Sequence, residues 1–563
     1  MIYQCEDHTC NYWDEGEKLP ERCPQCGRKL LRANETDMTG DDWTALGNTL
    51  WDAEASDKKR MVDCFRKAAY LGSAWGVCNL GICMEQGNGV EADPVQAFWL
   101  YQQAVEMGSL NAVCCLGVCY QYGIGTAPDA EKAAELYCKA AEYGSPRGQM
   151  LLARAFHDGI GVEADAAEAV HWVRAAAYQR YGEGMYRLGV CYEYGDGVEQ
   201  NWEHAVHWFR EAAESGVSTA MTDLGYCYEK GCGVEQSWEQ AFSWYRRGAE
   251  CGYPVSMSNL GLCYKRGYGV EQNWQEAIKW YEQGAQCGDL QSMNNLACCY
   301  EDGEGVEQNE ERALYWYRRG AEAGSDYCMY CLGWNYSNGE GVEQNMTEAI
   351  RWYTAAAEGG NADAMHNLGW HYDHGEGVEQ DMKKAICWYE RAAEQNHPAA
   401  MNSLGECYAM GRGVPRDLET AMEWYRRAAE LGEAMADYNM GWHLEQAGKL
   451  SEAYAHYRKA ADGNDDSAWW ALGRFYENGV VVAQDGKEAR RCYETGEKLG
   501  SVKCKMRLAR CKLLGIGGRR EKKAGLDLCR QALELAKESS EKEDYGYEAE
   551  MNLLRRTIAE NES

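Results

Sequence analysis

A leucine–glycine pair, called the marker here, recurs along this chain at a fixed interval of 36 residues. Positions 80 to 440 span 360 residues, which is ten intervals of 36 without an insertion or deletion. Ala replaces Gly at Leu152-Ala153 and Leu296-Ala297, and Met replaces Leu at Met440-Gly441. The unchanged markers are Leu80-Gly81, Leu116-Gly117, Leu188-Gly189, Leu224-Gly225, Leu260-Gly261, Leu332-Gly333, Leu368-Gly369 and Leu404-Gly405. Such a period predicts a stacked helical repeat array, a class that presents long surfaces to other proteins and seldom catalyses reactions.

The charge of the chain restricts its partners. Asp and Glu number 89 against 57 Lys and Arg, which gives a formal net charge of −32 at pH 7. A field of this sign repels phosphate backbones, so we expect no nucleic-acid partner. Basic peptides or basic protein faces are favoured instead, although most acidic residues serve to keep a long helical surface soluble.

The sequence shows no membrane or export segment. No run of about 18 apolar residues is present, and the start MIYQCEDHTC has neither a basic nor an apolar leader region. We therefore predict a cytoplasmic protein with no membrane contact, whose 27 cysteines are reduced or metal-bound. A single core of 563 residues would be oversized, whereas each unit of a solenoid packs only on its neighbours.

Residues 218–252 illustrate one repeat. Ala220, Leu224 and Tyr228 follow helical spacing and predict a first helix, helix A, which the glycines of the segment Gly231-Cys232-Gly233 end. Ser237 is a good N-cap for a second helix, helix B, and Gly252 closes it. A repeat is therefore a helix–turn–helix unit.

The predicted caps repeat as strictly as the markers. The helix B N-cap column contains only Asp, Asn or Ser, each able to accept a hydrogen bond from a first-turn amide, at positions 93, 129, 165, 201, 237, 273, 309, 345, 381 and 417. The column that closes helix B, from 108 to 432, is Gly except for Arg180 and Asn396. Agreement between periodicity, caps and turns predicts an all-α fold.

The string LGYCYEKGCGVEQSWEQAFSWYRRGAECG resembles a Sel-1-like repeat, a relative of the tetratricopeptide repeat. The resemblance covers residues 42–515, about 13 units, and implies a right-handed α-solenoid superhelix that acts as an adaptor or scaffold. The pattern changes at two places. The turn at 446–449 is short, so the next marker, Leu472, follows after 32 residues. The marker at Leu508 lacks a clear second loop, and residues 516–563 are predicted to form a capping helix or pair with a fraying tail.

The strongest chemical motif lies in residues 1–32, ahead of a linker at 33–41. Four thiols in two short turns, Cys5, Cys10, Cys23 and Cys26, suit tetrahedral zinc, with all ligands from protein and no open position for a substrate. So short a segment would depend on the metal to fold. It resembles a zinc-ribbon or rubredoxin-like module, although four residues separate the first pair where two are usual. His8 can replace Cys5 or Cys10 as a ligand, and iron is the alternative metal.

Three further features recur at equivalent positions of the repeats, and packing or turn formation explains each of them. Cysteine follows the marker Leu by three residues in eight units, from Cys83 to Cys511, and is interpreted as small apolar packing. Tryptophan occupies one helix B position in eight units, from Trp172 to Trp424, and is predicted to be core. The Gly-x-Gly-Val loops follow helices and lack the Lys-Ser/Thr of a phosphate loop, so no nucleotide site is predicted.

One face of helix A carries the candidate binding residues. Asn precedes the marker in many units, and three residues further along the same stripe lie large aromatic side chains. In the related tetratricopeptide repeats this stripe lines a concave groove, and the resemblance implies that the same face binds a partner here. The candidate partner-binding residues are Asn295, Tyr330, Trp334, Asn367, Trp370, Asn439 and Trp442. An equal alternative for the Asn residues is a structural bridge between neighbouring repeats.

The sequence favours a non-enzymatic scaffold that binds a protein or peptide. A redox protein that uses iron at the four-cysteine motif is the first alternative, and a secreted bacterial effector is the second. No catalytic set of residues can be assembled, and His366, His371 and His374 are interpreted as surface residues near Asp373.

Overall fold

The computed structural model describes the strand residues 2–5, 13–15 and 30–33 together with residues 38–51, 55–542 and 548–562. The chain forms two compact units, Met1–Ser292 and Met293–Ser563. Apart from a small N-terminal sheet, the described part of the chain is a repeat solenoid of 29 helices.

The sheet has three short antiparallel strands in the order β2-β1-β3. These are β1 (Ile2–Cys5), β2 (Trp13–Glu15) and β3 (Leu30–Ala33). Ile2 pairs with Glu15 on one side and with Ala33 on the other. The sequence did not predict these strands. Of the proposed metal ligands, Cys10, Cys23 and Cys26, like His8, lie outside the described residues, and only the backbone of Cys5 is described.

The helices alternate between two types. The A helices are α1 (Gly40–Thr49), α3 (Ala74–Gln86), α5 (Leu110–Tyr122), α7 (Pro146–Asp158), α9 (Gly182–Tyr194), α11 (Ser218–Lys230), α13 (Pro254–Arg266), α15 (Leu290–Asp302), α17 (Asp326–Asn338), α19 (Ala362–His374), α21 (Pro398–Met410), α23 (Ala434–Gln446), α25 (Asp466–Asn478) and α27 (Val502–Leu514). The B helices are α2 (Ala55–Tyr70), α4 (Pro94–Glu106), α6 (Ala130–Glu142), α8 (Ala166–Tyr178), α10 (Trp202–Glu214), α12 (Trp238–Glu250), α14 (Trp274–Gln286), α16 (Glu310–Glu322), α18 (Met346–Glu358), α20 (Met382–Glu394), α22 (Leu418–Glu430), α24 (Leu450–Asp462), α26 (Gly486–Lys498) and α28 (Lys522–Lys542). A last helix, α29 (Glu548–Glu562), packs against α27 and α28.

The predicted caps are confirmed at the level of individual hydrogen bonds. All ten residues of the N-cap column accept a bond from a first-turn amide; Ser237, for example, accepts from the amide of Gln240. The two exceptions in the glycine column that closes helix B, Arg180 and Asn396, adopt the same left-handed backbone, with φ of 58° and 61°. The geometry of the turn therefore stays constant where the residue type does not.

The loop between helices A and B reaches back to the preceding repeat. Gly233 has φ +69°, and a Cβ there would lie 2.3 Å from the carbonyl oxygen of Trp202, at the start of the preceding B helix. A side chain has no room at this contact, which explains the second glycine of the Gly-x-Gly-Val loop. Each such loop covers the first turn of the B helix before it.

Aromatic rings of the B helices pack on the second residue of the marker, which is glycine in most repeats. A Cβ on Gly225 would lie 2.6 Å from Cε1 of Tyr245, so the ring lies directly on the backbone of helix A. The hydroxyl of Tyr245 donates to Glu229 at 2.8 Å. The equivalent B-helix position, called the ring column here, carries the fully buried rings of Phe65, Tyr101, Tyr137, Phe209, Tyr245, Tyr281, Tyr317, Tyr353, Tyr389, Tyr425, Tyr457 and Tyr493.

The prediction that the tryptophan column is core is confirmed in part, because most of its members pack against the core without being fully buried. Trp244 is buried, but the other seven are half-buried at the edge of the core. A guanidinium group from the next turn covers several of them; Arg391 lies 4.3 Å from the Trp388 ring centre and Arg427 lies 4.4 Å from that of Trp424. The residue after each Trp is the one that enters the core.

The cysteine column packs as predicted, because seven of its eight members are buried and Cys191 is half-buried. The histidine prediction is wrong in part. His371 is buried and its Nδ1 lies 3.1 Å from the backbone oxygen of Glu376, while His366 is half-buried and stacks on His397 with ring centres 5.1 Å apart. Only His374 of the three is exposed.

The sequence predicted departures from the regular repeat at two places in the second unit. The predicted short turn is confirmed, since only residues 447–449 separate α23 from α24. The prediction that the Leu508 unit lacks a second loop is wrong. Gly515 ends α27 in the left-handed conformation, and a Cβ on Gly517 would clash with the carbonyl oxygen of Gly486, as in the regular loops.

Candidate functional site

Successive A helices contact one another as well as their own B helices. Contacts join α3 to α5, α5 to α7 and α11 to α13 in the first unit, and α25 to α27 in the second. Between α19 and α21 the Nε2 of His366 lies 3.4 Å from the hydroxyl of Ser403. Within each unit the A helices therefore form a closely spaced layer, and the solvent-facing side of such a layer is called the A face here.

Three tryptophans of the second unit lie two residues after the first residue of a marker, which is Leu332, Leu368 or Met440. Trp334 on α17 is 45% exposed and Trp442 on α23 is 44% exposed. Trp370 on α19 is half-buried, because its ring stacks on His374 with ring centres 4.3 Å apart. The marker Leu and Gly already fill the contact with helix B, so these rings remain at the surface. Large exposed aromatic rings are typical of protein-binding surfaces.

The asparagines of the stripe are engaged in contacts between repeats. Asn439 Nδ2 donates to Asn402 Oδ1 at 3.0 Å and to Glu406 Oε1 at 3.2 Å, both in the preceding repeat. The Asn367 side chain lies within hydrogen-bonding reach of the hydroxyls of Tyr330 and Tyr353. These contacts favour the structural explanation for Asn367 and Asn439. Asn295 is half-buried on α15.

A buried ionic cluster lies between Trp370 and Trp442, and the sequence analysis missed it. Asp373 is buried and accepts a hydrogen bond from Arg412 Nη1 at 2.9 Å. Arg412 Nη2 lies 3.7 Å from Glu406, and burial raises the pKa of the Glu406 carboxyl. Loss of one partner would leave an uncompensated buried charge, so a substitution of Asp373 or Arg412 alone should destabilise the contact between α19 and α21. The available signal was a basic residue, Arg412, at a loop position that is neutral or acidic in the other regular repeats.

The described residues contain no group of three or more His, Cys, Asp and Glu side chains arranged to hold a metal. Among the same residues, no helix combines the length and the apolar character that a membrane crossing needs. The part of the chain that the structure describes therefore offers a surface rather than a metal centre as its candidate site.

Comparison with known proteins identifies the repeat. The Sel1 repeat model matches thirteen successive segments, residues 76–109, 112–145, 146–181, 182–217, 218–253, 254–289, 290–325, 326–361, 362–397, 398–433, 434–465, 468–501 and 502–537. The chain belongs to the Sel1 repeat family. Sel1 repeat proteins generally act as protein-interaction scaffolds, and their solenoid fold is typically non-enzymatic.

Two solved structures are similar to this chain. A protective antigen of uropathogenic Escherichia coli with an SLR fold is 29% identical, with a TM-score of 0.55, over 76% of this chain and 94% of that chain. A Sel1 repeat protein from Oxalobacter formigenes is 28% identical, with a TM-score of 0.46, over 56% of this chain and 94% of its own. No curated protein matches the chain.

Proposed function

We propose that this Sel1 repeat protein is a non-enzymatic cytoplasmic scaffold that binds a partner polypeptide on the A face of its second unit. Trp334, Trp370 and Trp442 are the anchors, and Asn295, Tyr330, Asn367 and Asn439 flank them. The observation that carries the proposal is the exposure of Trp334 and Trp442, at 45% and 44%, at equivalent positions of their A helices. Burying such rings against a partner removes apolar surface from water.

Charge favours a basic partner. The chain carries −32 at pH 7, which would attract a basic segment and accelerate its association at low salt. The exposed rings of Trp334 and Trp442 are surfaces on which an Arg or Lys side chain of the partner can stack. We expect binding to weaken as salt rises, because exposed charges are screened.

The test is a measured affinity with matched variants. Partners captured by the full chain are identified, and each is then titrated against wild type, Trp334→Ala and Trp442→Ala. Each substitution is expected to weaken binding by about 1–3 kcal/mol, within the usual range for anchor residues. Folding stability should change little, because exposed rings leave no core cavity.

Trp99→Ala is the matched control, since Trp99 is 56% exposed on the B helix α4 of the first unit. It removes a ring of the same type from a different face, and it should leave the affinity unchanged. Equal affinities for wild type and the Trp334→Ala/Trp442→Ala double variant would contradict the assignment of the A face.

We propose separately that Cys5, Cys10, Cys23 and Cys26 bind one structural zinc. The register of the sheet supports this, because Cys5 pairs with Leu30 and Leu30 follows Cys26 by four residues in the sequence. The N-terminal strands and the second Cys pair are thus tied to the same short segment.

Metal analysis of the purified chain tests the zinc proposal. About one zinc per chain is expected, and Cys23→Ser/Cys26→Ser should release it while the helical circular dichroism stays unchanged. Iron with a visible absorption spectrum would replace zinc and favour the redox alternative. Cys387→Ser, which removes an exposed thiol of α20, is the control variant that should keep the metal.

A further inference from the structure

The ring column is interrupted once between α2 and α26. On α8 the position carries Val173, whereas the repeats on either side carry Tyr137 and Phe209, which are fully buried. The marker of the same repeat is Ala153 instead of glycine. Valine has no ring, so the Val173 side chain does not fill the space that an aromatic side chain fills in the neighbouring repeats.

A cavity of about 840 Å³ lies at this interruption in the first unit. Its lining includes Ala153, His157, Val173 and Cys191. These positions match the surroundings of a ring in a regular repeat. Tyr245 lies on Gly225 and donates to Glu229, and Gly225 and Glu229 are the equivalents of Ala153 and His157.

A second pocket of about 330 Å³ adjoins the first. Arg187, Val190 and Tyr194 line both pockets. The second pocket reaches Phe209, a ring-column residue without a hydroxyl group, and Glu193, the residue that would accept from that hydroxyl. The two pockets therefore form one trough along α7, α9 and α11, at two consecutive departures from the tyrosine pattern.

The mouth of the trough is aromatic and opens on the A face. Tyr194 is 73% exposed, and Tyr181 and Tyr226 are exposed beside it. Arg154 pairs with Asp158 at 3.2 Å, and Arg187 pairs with Glu183 at 3.4 Å, each within its own helix. Such exposed pairs contribute little and are easily displaced. The backbone of a partner segment that crosses the mouth would contact these aromatic rings and polar groups. One side chain of that segment would enter the cavity and contact its floor.

We propose that this trough is a docking site for a partner polypeptide that inserts one Tyr or Phe ring above Val173. The regular repeats give the reason for this occupant, because the same lining positions enclose a Tyr or Phe ring in every regular repeat. The partner's ring enters from the A face, whereas the internal rings come from helix B. The lining combines apolar side chains, including Ala153, Val170 and Val173, with charged ones such as Arg154 and Asp196. An aromatic ring packed on the apolar side chains gains contacts that an empty pocket lacks. The site lies in Met1–Ser292 and does not rest on the tryptophans of the second unit.

Binding of two probes to the full chain tests the proposal. The probes are p-cresol, which carries the ring of tyrosine, and the blocked peptide acetyl-Gly-Tyr-Gly-amide, with 4-methylcyclohexanol as the saturated control. Ligand-observed NMR should show saturable binding of p-cresol and of the peptide, and at least tenfold weaker binding of the control. Absence of saturable p-cresol binding overturns the proposal. Binding of p-cresol with exclusion of the peptide also overturns it, because the site would then hold a free phenol.

A variant that restores the regular pattern provides the matched test. Ala153→Gly/Val173→Tyr copies the glycine and ring of the neighbouring repeats, so the cavity should fill and binding of both probes should fall at least tenfold. Its thermal unfolding should occur at or above the wild-type temperature. If this variant unfolds earlier, Val173→Phe, which copies Phe209, replaces it in the same comparison. Unchanged binding in a folded filling variant would show that the probes bind elsewhere and would overturn the assignment.

Discussion

In the regular repeat 218–253 and in the short repeat 434–465, helix A packs on helix B in the same way, although the loops that connect the two helices differ in length. Residues 231–237 connect the helices of the first, and residues 447–449 connect those of the second. The ring contact is nevertheless the same in both. A Cβ on Gly225 would lie 2.6 Å from Tyr245, and one on Gly441 would lie 2.8 Å from Tyr457.

The hydroxyl bonds are also equal, because Tyr245 donates to Glu229 at 2.8 Å and Tyr457 donates to Glu445 at 2.8 Å. What the short repeat lacks is the contact of the loop with the preceding repeat. Gly448 has no atom within 4 Å of its Cβ position, and Leu418 at the start of α22 is 39% exposed. The contact of the helix B ring with the marker glycine therefore holds the two helices of a repeat together. The long loop between the helices of a regular repeat covers the B helix of the preceding repeat.

The largest effect is expected from substitutions that remove the ring contact, which the two repeats share. Tyr245→Ala and Tyr457→Ala should each destabilise their repeat by about 3–5 kcal/mol, the usual cost of deleting a buried ring. Hydrogen exchange read repeat by repeat measures this, because a long array does not unfold in one step. A cost below about 1 kcal/mol for Tyr457→Ala alone would show that the short repeat is held by other contacts.

A smaller effect should distinguish the long loop of the regular repeat from the short loop of repeat 434–465. Gly233→Ala should cost about 3 kcal/mol, since a Cβ would lie 2.3 Å from the Trp202 carbonyl oxygen at φ +69°. Gly448→Ala should cost only about 1–2 kcal/mol, the penalty of a left-handed backbone with open space around it. The same exchange measurement compares them. Equal costs would mean that the contact with the preceding repeat adds nothing.

A third test uses pH. Burial lowers the pKa of His366 to about 4, while Tyr438 occupies the equivalent place in the short repeat. The unfolded chain keeps a histidine pKa of about 6.5, so it binds the extra proton between those values. Stability is then lost as pH falls from about 6.5 to about 4. His366→Tyr should remove roughly 3 kcal/mol of this loss between pH 7 and pH 4, at about 1.4 kcal/mol per pKa unit.

The difference between wild type and His366→Tyr isolates the effect of His366, because other groups titrate in both proteins. Hydrogen exchange of the repeat 362–397 at pH 7 and pH 4, corrected for the intrinsic exchange rates, gives the loss of stability in each protein. An identical loss in both proteins would place the acid sensitivity elsewhere in the chain.

The smallest effect concerns the caps. Asp417 accepts from the amides of Glu419 and Thr420, whereas Lys449 makes no side-chain cap bond. Asp417→Ala should cost about 1 kcal/mol, and Lys449→Ala should change stability by less than about 0.5 kcal/mol. Hydrogen exchange read repeat by repeat measures the difference between the two variants. A loss at Lys449 as large as that at Asp417 would contradict the cap assignment.

Much of the fold could be predicted because its signals are local. A residue such as Ser237 caps its helix through an amide three residues away, and the glycines that end helices are selected by their own backbone angle. Trp244 and Tyr245 show where such reasoning fails. Both positions fall on a wide apolar stripe, and periodicity does not say which of two neighbours points deepest.

The candidate sites show the same division. Exposure of Trp334 and Trp442 followed from the marker, because the packed positions of helix A were already occupied. The partners of Asn439 and the pairing of Arg412 with Asp373 did not follow, because they join residues 37 and 39 positions apart in the sequence. Such contacts depend on how one repeat is stacked on the next.

By itself, the sequence determined the period of 36, the two helices of each repeat, their caps and their turns, since each depends on residues within one or two turns of helix. Only the tertiary structure decided which aromatic column is buried, that the ring lies on the marker glycine, and that Val173 leaves a cavity on the A face. Burial is a property of helices brought together by packing, and a side chain in one repeat is enclosed by residues about 20 to 40 positions away.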